Sequence, residues 1–359
     1  MTPSDTRIAF FGGANNAAAV KGIVNLAQAG FDVVVADHDA RESVALRAAG
    51  IPFTSDRMAA VAGRNVVITS LSAPADVEDL YLGDDGLVEL MTPGSHAIDL
   101  SFSLPQLASE IYAMAAIADI EVLDAPLVNL GEQEGTVLFV GGTPQARGTL
   151  APLFPYLAST VLEQQEPGEG QFAAVLAYIA LAGSLMGAIE ATAVAHVAEF
   201  PQNAAVNVLA STAGGSRALV DYVPRVLAHD YTGNLKVCDF LQALEVVLEA
   251  ADDLDVTVPV METAYQLYDL LSLVGGEELN IQALALLYED EQTCADHGLN
   301  WELADAAEGY DDEDDDDADG GGFGFEDFFG PGPSGGPDGP DGSDGPGGHR
   351  PYSSIFSRN

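Results

Sequence analysis

The chain has 359 residues, 12 of them Lys or Arg and 56 Asp or Glu, so its formal charge is −44. That balance lacks the basic footprint that nucleic acid or an anionic membrane surface needs, and a hydrophobic share of 48% excludes global disorder. The length suits two domains with a sizeable core.

The two cysteines, Cys238 and Cys294, stand in no motif. A disulfide scaffold and a cysteine-rich zinc site therefore fall away, and the usage suits a reducing cytoplasm. The start, MTPSDTRIAFFGG, has no basic segment leading into an apolar one, so no secretory signal is expected. From Gly309 onward thirteen acids face only Arg350 and Arg358, a net of −11 that leaves −33 on the residues before it. With Lys21 and Lys236 as its lysines, that body reads as adapted to high salt, which screens self-repulsion. An acidic protein of an ordinary cytosol is the alternative.

In chain order, residues 7–11 (RIAFF), 32–36 (DVVVA), 65–70 (NVVITS), 96–100 (HAIDL), 120–123, 137–140 (VLFV) and 160–162 read as strands. Ala- and Leu-rich stretches such as 17–29 and 106–118 separate them. The alternation predicts right-handed βαβ crossovers and a mostly parallel sheet, and the continuous apolar runs fit a sheet covered on both faces. After Pro167 only helices are expected: one long stretch over 171–200, then 204–213, 216–228, 240–254, 259–273 and 281–288.

The 19 residues of 171–189 carry no charge and include Gly183 and Gly187, a GxxxG pair. A membrane span would show flanking Lys or Arg. Here Glu169 and Glu190 bound the segment, so it reads as a buried interdomain helix whose glycines allow close helix approach. The tail, 309–359, is acidic and rich in Gly, Pro and Asp, with too little apolar surface to offset its chain entropy. It is expected to be disordered, with Phe323, Phe325, Phe328 and Phe329 as docking points for a protein partner or as unbound stickers.

The first strand ends in Gly12-Gly13-Ala14-Asn15-Asn16-Ala17 and leads into a helix, the place of a dinucleotide-binding turn. Gly12 supplies the tight turn, and Ala14 stands where a second glycine would let phosphate approach. Asp37, after the second strand, is placed to accept the ribose 2′-hydroxyl of NAD and to repel the 2′-phosphate of NADP. The cofactor is thus expected to be NAD or NADP, with NAD favoured. The alternative is a fold that kept the turn and lost tight binding.

The run RIAFFGGANNAAAVKGIVNLAQAGFDVVVADHD resembles the start of the β-hydroxyacid dehydrogenases, such as 3-hydroxyisobutyrate dehydrogenase, and of the related imine reductases. Further matches are VVITSLS, GDDGL, PGSHAIDLSFSLP, LDAP, GTVLFVGG and GEGQ, in that order, so the resemblance covers about residues 7–290. It implies an N-terminal Rossmann-type, doubly wound α/β domain (1–166), joined by the long helix to an all-α domain (167–308), with the tail outside. It also implies cofactor contacts from Gly12, Gly13, Ala14, Asn15, Asn16, Asp37, Leu71, Ser72 and Ser101, a small-molecule substrate in the cleft, and a homodimer or tetramer through the helical domains. The location expected is cytoplasmic.

The family pattern GxGQxxKxxxN places a proton-exchanging lysine where this chain has Ala174, and an asparagine where it has Tyr178. A second family lysine corresponds to Cys238 before Asp239, and the DAPVSGG loop has become residues 124–130, DAPLVNL. Tyr178 lies one helical turn beyond Ala174, so its phenol is the candidate proton donor. A core tyrosine is the plainer alternative. Asn129 is the candidate for holding a polar group of the substrate.

The six histidines show no metal-ligand spacing, and no metal site is expected. Asp315, Asp317, Asp319, Gly320 and Glu326 do satisfy a calcium-loop spacing, but Gly322 replaces its apolar anchor and Gly330-Pro331 would stop the exiting helix. The resulting reading is an NAD(P)-binding oxidoreductase without the usual lysine, moving hydride to or from a small carbonyl, hydroxy or imine compound. The competing reading is an inactive relative kept as a scaffold that recruits partners through its tail.

Overall fold

The structure is a computed structural model that describes residues 1–12, 16–36, 44–130 and 135–308. Strands β1 (Arg7–Gly12), β2 (Asp32–Ala36), β3 (Phe53–Thr54), β4 (Val66–Ser70), β5 (His96–Asp99) and β6 (Glu121–Asp124) form one parallel sheet in the order β3-β2-β1-β4-β5-β6. The pleat explains the unbroken apolar runs. Ile8, Phe10, Val33, Val35, Val66 and Ile68 point to one face, while Ala9, Phe11, Val34 and Val67 point to the other. Both sets are buried, each large side chain contributing about 1.5–3 kcal/mol of transfer free energy.

Helix α1 (Ala17–Gln28) covers the first face through Ile23 and Leu26. Beyond β2 come α2 (Val44–Ala48), α3 (Arg57–Val61), α4 (Pro74–Leu82), α5 (Leu87–Leu90) and α6 (Pro105–Ile117). Val77 and Leu80 of α4, with Leu107 and Ile111 of α6, cover the second face. The strand order reverses between β1 and β4, which opens a crevice at their carboxyl ends.

A second, three-stranded sheet follows, formed by β7 (Leu127–Asn129), β8 (Thr136–Val140) and β9 (Thr160–Glu163), with α7 (Pro144–Leu150) and α8 (Phe154–Leu157) between the last two. Strand β7 runs antiparallel to β8, and β8 parallel to β9. The 29-residue α9 (Glu169–Val197) then forms the axis of the helical part, packed by α10 (Gln202–Ala210), α11 (Arg217–Leu227), α12 (Val237–Asp252) and α13 (Pro259–Leu271). Residues 281–288, expected as an ordinary helix, are 3₁₀, and α14 (Glu291–Asp296) and α15 (Glu302–Glu308) complete the described chain.

Helix α9 is long and apolar enough to cross a membrane by length and composition. Its Ala174, Tyr178, Leu181, Leu185 and Ile189 instead form a core with Phe240, Leu244, Met261 and Tyr268. The glycine pair on it does not serve close helix approach as expected. A Cβ at Gly183 would meet Val260 at an ordinary 3.9 Å, and one at Gly187 would meet nothing within 4 Å.

Candidate functional site

The carboxyl ends of β1, β2 and β4 converge on Gly12. A Cβ there would lie 2.6 Å from the Ser70 carbonyl oxygen and 2.7 Å from the Phe10 ring, so no larger residue fits. Asn16 caps α1, its Oδ1 accepting the Ala19 N–H at 3.0 Å, and this fixes the helix N-terminus beside the turn. A cavity of about 320 Å³ opens next to Gly12, bounded by Ala36, Leu71 and the side chains of Arg57, Asp76 and Asp79. A required glycine, a fixed helix N-terminus and an adjoining cavity fit the phosphate and adenosine ends of a dinucleotide. Gly13, Ala14, Asn15 and Asp37 lie outside the described residues.

Leu71 and Ser101, expected at the cofactor, are brought together at the ends of β4 and β5. The Leu71 N–H donates to Ser101 Oγ at 2.9 Å, and Ser101 Oγ donates to Asp99 Oδ1 at 2.6 Å. Thr69 Oγ1 donates to the same carboxylate oxygen at 2.8 Å and lies 2.9 Å from the Tyr81 hydroxyl. Burial raises the Asp99 pKa against these bonds, which favour the carboxylate. Burial, with Asp99 second, also holds the Tyr81 phenol well above its ordinary value. Ser72 follows on the exposed side of the crevice.

The joint between sheet and helical part was not anticipated from the sequence. Asp124, at the end of β6, accepts N–H bonds from Gly168 at 2.9 Å and Gln171 at 3.0 Å, at the start of α9. Burial pushes its carboxyl up to about 6 despite those donors. The GEGQ motif has a separate physical reason for each part. Gly168 sits at φ 84° as the N-cap of α9, where a side chain would be strained. A Cβ on Gly170 would lie 2.5 Å from the Asp124 carbonyl oxygen and 2.7 Å from the Gly141 nitrogen. The fully buried Gln171 donates from Nε2 to the Ser101 carbonyl at 2.8 Å and accepts the Ser103 N–H at 2.9 Å. It thus ties the β5 loop to the long helix. An acid ending an otherwise apolar strand, as in EVLD and HAID, was the available signal for Asp99 and Asp124.

One turn into α9, Ala174 is fully buried and offers no ionisable group. Tyr178 is 5% exposed, and its ring packs on Phe102 at 4.8 Å and Phe240 at 6.0 Å between centroids. Its hydroxyl makes no hydrogen bond to a described residue. Burial first, then the charge of Asp239, raise its pKa far above that of a free phenol. Asn129 is half-buried at the end of β7 and pairs in register with Thr136. Among the described residues no group of three His, Cys, Asp or Glu side chains is arranged to hold a metal.

Residues 10–165 match the family model of the NAD binding domain of 6-phosphogluconate dehydrogenase. Residues 168–288 match that described as NAD-binding of NADP-dependent 3-hydroxyisobutyrate dehydrogenase. The chain is 30% identical over 278 residues to an NAD-dependent L-serine dehydrogenase of Pseudomonas aeruginosa, covering 75% of this chain and 93% of that one. It is 28% identical over 293 residues to a probable 3-hydroxyisobutyrate dehydrogenase-like protein of Arabidopsis thaliana, covering 80% and 87%. A Mycobacterium tuberculosis 3-hydroxyisobutyrate dehydrogenase solved with L-serine shares the fold, with a TM-score of 0.71 at 23% identity over 80% of this chain and 99% of that one. These matches favour the oxidoreductase over the scaffold: the chain belongs to the β-hydroxyacid dehydrogenase superfamily of NAD(P)-binding oxidoreductases.

Proposed function

We propose that the chain works as a reductase of a small carbonyl or imine compound, with NAD preferred over NADP and Tyr178 as the proton donor. The observation that carries this reading is the pair Ala174 and Tyr178. Where the family pattern has a lysine there is a buried alanine, and one turn on is a phenol whose hydroxyl no described residue engages. When bound, the nicotinamide cofactor supplies the hydride.

A phenol kept protonated by burial and by the charge of Asp239 still carries its proton at neutral pH. In this reading Ser101 and Leu71, held by Asp99, keep the crevice wall at β4 and β5 in place, Ser72 borders the cofactor, and Asn129 orients a polar group of the substrate. The preference for NAD rests on Asp37, whose carboxylate accepts a ribose hydroxyl and repels a phosphate. The same reading divides the chain at 166/167, pairs two copies through their helical domains, places the enzyme in the cytoplasm and leaves the tail to recruit a protein partner.

Fluorescence titration of the full chain with NADH and NADPH tests it. NADH is expected to bind more tightly, and Asp37→Ala to weaken that preference. Equal affinity for both removes the NAD assignment, and binding of neither removes the cofactor reading altogether.

A further inference from the structure

Three charged side chains on two helices border the cavity beside Gly12, and none belongs to the glycine turn. Arg57 begins α3, while Asp76 and Asp79 lie on the first and second turns of α4. The Arg57 guanidinium donates to Asp79 Oδ2 at 3.2 Å, so the cation of this wall is already engaged by an acid of the same wall. Asp76 adds a second carboxylate, which leaves the three groups with a net charge of −1. The far side of the cavity is Ala36, the last residue of β2, and its floor is Phe11 and Gly12. A ligand laid from the glycine turn across the end of β2 would bring its ribose to this wall.

We propose that the Arg57–Asp79 pair, backed by Asp76, determines which adenosine the cavity accepts: one with a free 2′-hydroxyl, and not one carrying a 2′-phosphate. The inference rests on the cofactor reading above but not on Asp37, since its residues lie on α3 and α4. An arginine is the side chain best suited to a phosphate, by its planar fork of donors. Asp79 already takes one donor of that fork, and a phosphate displacing it would leave two carboxylates facing a dianion. A ribose hydroxyl carries no charge and meets no such penalty.

The test is the ratio of NADPH to NADH dissociation constants, measured by fluorescence titration of the full chain at low and at molar salt. In the double variant Asp76→Asn, Asp79→Asn the ratio is expected to shift toward NADPH about tenfold at low salt, the scale of two partly exposed charges, and by less at high salt. Adding Arg57→Ala to that variant is expected to abolish the gain, because the freed guanidinium is then missing. Glu78→Gln, exposed on the same helix but not bordering the cavity, removes one negative charge and is expected to leave the ratio unchanged. A ratio unmoved by the double variant overturns the proposal, as does an equal shift from Glu78→Gln, which would reflect only the overall field. Binding of neither nucleotide by the unmodified chain would instead refute the cofactor reading on which the proposal stands.

Discussion

Replacing Asp124 by Ala strikes the joint between the parallel sheet and α9. The side chain is 4% exposed and accepts the Gly168 and Gln171 N–H groups, so its loss orphans two buried donors at about 1–3 kcal/mol each. Relief from burying a charge offsets part of this, and the expected destabilisation near pH 7.5 is about 2 kcal/mol. The pH dependence is the sharper test. The native carboxyl titrates at about 6 and the unfolded one at 3.8, so between those values the native state holds a proton that the unfolded state has released. Stability from this group is therefore fully present below pH 4, and it is lost as pH rises through 6. At pH 5 linkage gives roughly 1.4 kcal/mol in the unmodified protein and none in the alanine variant. Urea unfolding at both pH values, in molar salt to screen the acidic body, should show the gap between the proteins widening at pH 5. Asp99, also raised by burial, titrates in both proteins and cancels from the difference. A gap that stays constant or narrows at pH 5 would refute the assignment.

Given a reductase activity, Tyr178→Phe should lower kcat by about 10²–10⁴-fold with little change in cofactor affinity, as loss of a general acid does. Unchanged turnover would return Tyr178 to the core, and rapid oxidation of 3-hydroxyisobutyrate would contradict the reading of Ala174. Deleting residues 309–359 removes thirteen acids and two arginines and should leave cofactor affinity and melting temperature unchanged, since Gly309 follows the last described helix. Unfolding or loss of cofactor binding on truncation would show that the tail belongs to the fold.

The sheet was legible because its strands are buried on both faces. RIAFF, DVVVA and VVITS are apolar without alternation, which a half-exposed strand could not be. Strands β3 and β7 were not legible. Two and three residues are too few to show a period of two, and Pro126 just before β7 argues locally against a strand. At the candidate site, the need for glycine at position 12 was readable from the strand-turn-helix pattern. Gln171 was not, since its partners Ser101 and Ser103 lie 70 and 68 residues upstream. Arg57 and Asp79 likewise meet only because the sheet order lays the entry to α3 beside α4, although they stand 22 positions apart.

What this divides is architecture from chemistry. Gly168, Gly170, Gln171 and Asp124 hold α9 to the sheet through backbone approach and hydrogen bonds, and none of those interactions involves position 174. A lysine at 174 would add nothing to that joint, and an alanine there takes nothing from it. The fully buried Ala174 packs in the same core as Val128 and Phe240. Restoring a lysine would therefore bury an ammonium among apolar groups, and its cost would fall on stability before it reached catalysis. In the proposed reaction the proton comes from Tyr178, the next ionisable side chain on this face of α9.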